Sequence, residues 1–127
     1  MQFSSFYSEN GSDDDVWYIL PAAKLTANEI LNLSFVSQYR YLAGTMPVSV
    51  VYSSNFDGTT AGITAAEWTE LEYNKPTVPE VYVGSGSLAI TNSSTQTKDF
   101  YIAFRYKGSK RLNNTTTIQI DKILLSK

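Results

Sequence analysis

The segment Phe100-Tyr101-Ile102-Ala103-Phe104-Arg105-Tyr106 carries a large apolar side chain at every second position. A period of two is that of a β-strand, whose successive side chains point to opposite faces, so one face of this segment is committed to a core. The alternation returns in Leu31, Leu33 and Phe35, in a segment that runs on through Tyr39 and Tyr41 to Gly44, and again in Val48, Val50 and Tyr52. Val16 to Leu20 is a β-rich run closed by Pro21, as suits an edge strand. Trp68 to Tyr73 reads as a short strand, and Val81 to Thr91 as a strand or strand pair interrupted at Gly84 and Gly86. No convincing helix signal is present; the best candidate, Ala22 to Leu31, is short and contains two β-branched residues, Thr26 and Ile30.

Roughly seven short strands with turn signals between them predict an all-β fold, an antiparallel two-sheet β-sandwich of the jelly-roll type. Phe100, Ile102, Phe104, Leu33, Phe35, Val48 and Val50 are the expected inward set. In the last strand Ile118 and Ile120 share one parity and Ile123 and Leu125 the other, which calls for a bulge near Asp121. The 127 residues fit one domain, with residues 1–15 as a polar lead-in loop and 16–125 as the core.

Composition narrows the chemistry. There is no cysteine and no histidine, which removes thiolate nucleophiles, disulfides, Ser-His and Cys-His dyads and imidazole or thiolate metal sites. Any metal must then be hard and oxygen-ligated, Ca²⁺ first. Net charge is −2 and the basic residues are scattered apart from Lys107, Lys110 and Arg111, so nucleic acid is not an expected partner. The longest apolar stretch, about Val16 to Ala23, is too short to span a bilayer, so no membrane insertion by this domain is expected. The chain reads as a monomeric excerpt of a longer exported protein.

Several segments, taken in order, resemble the choice-of-anchor J, or cleaved-adhesin-like, domains. Asp15-Val16-Trp17-Tyr18-Ile19-Leu20-Pro21 is similar to that family's "D-x-W-L-I-x-P" opening, and Leu31-Asn32-Leu33-Ser34-Phe35 to its "L-x-L-S-F" strand. Phe100 to Tyr106 is similar to "v-y-I-A-F-R-Y", and Ile120-Asp121-Lys122-Ile123 to the closing "I-D-D-I". Val50 to Ser54 and Glu67 to Leu71 fall where the family has its "V-x-x-S" and "W-t-x-L" strands. Tyr18 replaces the usual Leu, and the family's N-terminal strand with its early Trp is shortened or missing before Gln2. The resemblance implies a galactose-binding-like jelly roll from surface proteins and lipoproteins of Bacteroidota, displayed outside the cell or on the outer membrane.

Two sets of candidate site residues follow. Domains of this resemblance often hold a structural Ca²⁺ beside the first and last strands. Asp13, Asp14 and Asp15, with Glu9, Asn10 and Ser12 near them and Asp121 in the last strand, supply oxygen ligands for one, and a cation would relieve the repulsion of three adjacent carboxylates. The alternative is a solvated acidic loop with Asp121 at a bulge. For a ligand, the loops Ser37 to Ala43 and Ser54 to Thr64 combine aromatics with amides and acids, namely Tyr39, Tyr41, Asn55 and Asp57. These suit a polysaccharide or cell-surface glycan. Of the other aromatics, Trp17, Tyr18, Trp68, Tyr73 and Tyr82, most are expected to serve the core. The acids Glu67, Glu70, Glu72 and Glu80 read as solvated strand-face residues rather than a glycosidase pair. The expected function is non-catalytic glycan binding; the alternative is an adhesion or spacer domain that contacts protein or positions its neighbours.

Overall fold

The computed structural model describes residues 1–5, 13–41 and 46–127. The strands are β1 (Gln2–Phe3), β2 (Asp13–Ile19), β3 (Ala23–Leu25), β4 (Ile30–Arg40), β5 (Val48–Ser53), β6 (Thr69–Leu71), β7 (Val83–Gly84), β8 (Leu88–Thr91), β9 (Lys98–Ser109) and β10 (Thr117–Ser126). All pair antiparallel, in two sheets packed face to face. One sheet runs β1-β10-β4-β7 with β8 also on β4, and the other β2-β9-β5-β6 with β3 also on β9. Because β2 and β3 lie end to end along β9, and β7 and β8 along β4, each pair is one interrupted strand. With those pairs merged, each sheet has four members and the strand order is that of a jelly roll.

The residues expected to face inward all do: Phe100, Ile102, Phe104, Leu33, Phe35, Val48 and Val50 are buried between the sheets. Phe35 meets Phe104 edge-on at 5.1 Å and Tyr73 at 5.3 Å. Tyr73 donates its hydroxyl to the Val48 carbonyl at 2.9 Å, and burial, helped by Glu70 and Glu72, raises its pKa above the ordinary phenol value. Tyr106 stacks on Phe3, donates to the Thr116 carbonyl at 2.9 Å and accepts from the Ser5 amide at 3.0 Å.

The breaks have local causes. Between β7 and β8 the Ser85 hydroxyl accepts the Phe35 amide that a continuous strand would have taken, and Gly86 adopts φ +79°, a left-handed backbone that favours glycine. In β10 the register shifts between Asp121 and Leu124, which is the expected bulge; Lys122 sits at φ 52° and Asp121 Oδ1 accepts its amide at 2.7 Å.

As the weak helix signal led one to expect, Ala22 to Leu31 forms no helix: it holds β3, which pairs with Lys98 to Phe100 of β9, then a turn and the start of β4. One expectation is corrected. The lead-in is not wholly a loop: β1 pairs with β10, and β2 begins at Asp13. Aspartate is a poor strand former, but Asp13 and Asp15 find Arg111 and Arg105 in place, and such cross-strand partners outweigh propensity.

Candidate functional site

Since the even-numbered residues of β9 fill the core, Tyr101, Ala103 and Arg105 point away from it, onto the outer face of that sheet. Ile19 and Val51 flank Ala103 on the neighbouring strands, and Trp17 lies beside Arg105. This outer face is apolar in its middle, and the connection between β5 and β6 folds over it. Ala103, Val51 and Phe56 are buried beneath that cover. A row of rings results: Phe56 meets Tyr101 edge-on at 4.9 Å and Trp68 at 5.3 Å, and Trp68 meets Trp17 at 4.9 Å. The row ends in the Arg105 guanidinium, 4.6 Å over Trp17 and held by Asp15 through two bonds of 2.9 and 2.7 Å. Those bonds hold the Asp15 carboxyl below its ordinary pKa.

The covering loop is tied by its own polar residues. Asn55 Oδ1 accepts from the Ser53 hydroxyl at 2.8 Å and from the Glu67 amide at 2.9 Å, closing the loop at its base. Asp57 Oδ1 accepts the Thr59 amide and hydroxyl at 2.8 and 2.7 Å, making the tip turn and lowering its own pKa. Trp68 donates its indole N–H to the Ile63 carbonyl at 2.9 Å. Gly58 stands at φ +83°, and a Cβ there would lie 3.2 Å from the Tyr101 hydroxyl, so glycine keeps that approach open.

Where this loop meets the end of the sandwich an open cleft of about 330 Å³ remains. Ile19, Leu20 and Pro21 line one part, Gly58, Thr59, Thr60 and Ile63 another, and the rings of Phe56 and Tyr101 complete it. The arrangement offers aromatic surface, aliphatic walls and a few hydroxyls, with no carboxylate or ammonium among the described residues of the lining. Such a surface binds by stacking and hydrogen bonding.

The structure separates the residues expected to form one ligand site. Tyr39 is 6% exposed within β4 and belongs to the core, because the strand continues to Arg40 before any loop begins. Tyr41 is 77% exposed at φ 54°, and the rest of its loop, residues 42–45, lies outside the described residues. Asn55 and Asp57 sit at the opposite end of the sandwich from Tyr41, since β5 separates the two loops by roughly 17 Å of extended chain. Their loop does line the cleft, but their side chains shape the loop. Tyr101, Thr59 and Thr60 face the cleft instead. Tyr101 was detectable, being the aromatic of outward parity in the clearest strand.

The acidic residues expected to share a metal do not converge. Asp13 accepts from the Ser109 hydroxyl and pairs with Arg111 at 2.9 Å, contacts that lower its pKa. Asp14 accepts from the Ser5 hydroxyl at 2.6 Å, on the other face of β2, and Asp15 is engaged by Arg105. Asp121 lies in the other sheet, opposite Val36. Arginine and hydroxyl groups thus supply the relief expected from a cation. Among the described residues no three acids are grouped to hold a metal; Glu9, Asn10 and Ser12 lie outside them.

No curated protein matches the chain, and no solved structure matches it. A family model does, over residues 2–127, which is nearly its whole length. The chain therefore belongs to the family described as Domain of unknown function (DUF5017).

Proposed function

We propose that this chain is a non-catalytic glycan-binding domain of a bacterial surface lipoprotein, and that the cleft beneath the β5–β6 loop takes the sugar. The observation that carries this reading is the convergence of Tyr101, Phe56, Thr59 and Thr60 on one open cleft. A sugar ring presents an apolar C–H face to an aromatic and its hydroxyls to the rim, and this lining offers both. Among the described residues the lining is aromatic, aliphatic and hydroxyl-bearing, which suits holding a sugar. Surface display rests on the sequence resemblance to choice-of-anchor J domains.

An open cleft with one or two stacking contacts binds weakly, with Kd from about micromolar to millimolar. Affinity of that order serves a domain that acts on a polymer together with others. The test is affinity gel electrophoresis on a panel of soluble glucans, xylan, galactan and mannan. Retardation by at least one polymer is expected. Thr60→Arg, an exposed rim substitution, should sharply reduce it with the melting temperature nearly unchanged. Tyr101→Ala should likewise reduce it while costing about 1–2 kcal/mol of stability, because the ring also packs on Phe56. Migration unaffected by every polymer would leave the adhesion or spacer reading in its place.

A further inference from the structure

The outer face of the sheet formed by β1, β10 and β4 carries three glutamines in one row. Gln2 is opposite Gln119, and Gln119 is opposite Gln38. Their amides join head to tail: Gln38 Nε2 donates to Gln119 Oε1, and Gln119 Nε2 donates to Gln2 Oε1 at 2.9 Å. A primary amide has two N–H groups and two acceptor positions, so the row leaves Gln119 with one of each. Gln38 is 5% exposed, and its Oε1 has no hydrogen-bond partner among the described residues. Gln38 is not among the residues that line the groove beside the row, so what the row presents to a ligand is the spare donor and acceptor of Gln119.

A polar groove of about 200 Å³ opens along this row. Gln2, Gln119, Tyr82 and Asp121 line it together with Met1 and Ile120. Tyr82 is 47% exposed, and Asp121 uses Oδ1 on the Lys122 amide, which leaves its second oxygen for a ligand.

We propose that this groove is a second binding site, one that takes a single neutral sugar residue through adjacent hydroxyls. Each hydroxyl both donates and accepts, so two neighbouring hydroxyls match an amide N–H and an amide oxygen side by side. The Asp121 carboxylate takes a third, and the Tyr82 ring meets the C–H face. The site rests on the proposed function for its class of ligand. It lies on the other sheet from the loop cleft, so the two sites would grip separate stretches of one polymer.

The test is side-chain amide NMR of the whole chain, titrated separately with malto-, cello-, xylo- and galacto-oligosaccharides. Saturable shifts of the Gln119 and Gln2 amides are expected with at least one of them. Tyr82→Ala, at an exposed position, should weaken that response about tenfold, as loss of one stacking contact would. Tyr101→Ala should leave it unchanged. Shifts confined to residues of the loop cleft would overturn the second site and leave the first standing. Shifts at neither place with any of the four would overturn both.

Discussion

Phe104→Ala is expected to lower unfolding stability by about 3–5 kcal/mol, more than the loss of any other single side chain in this core. Phe104 is fully buried, lies between Tyr18 of β2 and Val50 of β5, and meets Phe35 of the facing sheet edge-on at 5.1 Å. Its ring therefore joins three strands and both layers. Truncation removes the transfer free energy of the ring and leaves a cavity that two sheets, each fixed by its own ladder, cannot close. The measurement is urea unfolding, in which the midpoint should fall with the slope unchanged. Tyr41→Ala, at 77% exposure, is the control and should stay within about 0.5 kcal/mol. Equal effects at the two positions would mean that the sheets do not pack as described.

The second large effect is expected at a polar residue. Asn92 is 1% exposed, and its Nδ2 faces the carbonyls of Leu25, Thr26 and Gln96 at 2.9, 3.1 and 2.8 Å. Its Oδ1 accepts the Ser94 amide and hydroxyl at 3.1 and 2.8 Å, and its backbone exchanges bonds with Asn28 and Glu29. One side chain thus fastens the β3–β4 turn to the β8–β9 loop. Asn92→Ala should cost about 2–4 kcal/mol, because carbonyls in that corner lose their donor with little water to replace it. Asn92→Asp should be comparably harmful, since it keeps the acceptor and loses both N–H groups. A neutral Asn92→Asp would show that the donor side of the network contributes nothing.

These two residues differ in how far the sequence revealed them. Phe104 was legible because strand periodicity is local: alternation of apolar and polar residues assigns a face without knowledge of the partner strand. The bulge at Asp121 was legible for the same reason, since a change of parity within one strand has few other causes. Asn92 was not, because its partners are as many as 67 positions away and no pattern announces them. The glutamine row depends on the register of three strands and is equally silent in the sequence.

The candidate site was half legible. Turn chemistry at Asp57-Gly58 located the loop that forms the cleft, but residue type did not single out the side chains that line it. Asn55 and Asp57 are polar in order to tie the loop, whereas the rings that reach the cleft are Phe56 of the loop and Tyr101 of strand β9. The pairing of Tyr41 with that loop was avoidable on topology alone, because consecutive loops joined by one strand lie at opposite ends of a sheet. The separation of the acidic run was legible for a related reason. Once Asp13, Asp14 and Asp15 enter a strand, alternation sends them to opposite faces, where Arg105, Arg111 and Ser5 answer them.

The proposed glycan cleft is probed at closest range by intrinsic tryptophan emission during titration with the same polysaccharides. Trp68 packs on Phe56, a residue of the cleft lining, and Trp17 packs on Trp68, so both indoles stand directly behind the proposed site. A ligand in the cleft must change their surroundings, so a saturable emission shift is expected, and Thr60→Arg should sharply reduce it. Retardation in gels with emission that stays unchanged to saturation would contradict the assignment, by placing the sugar away from this cleft.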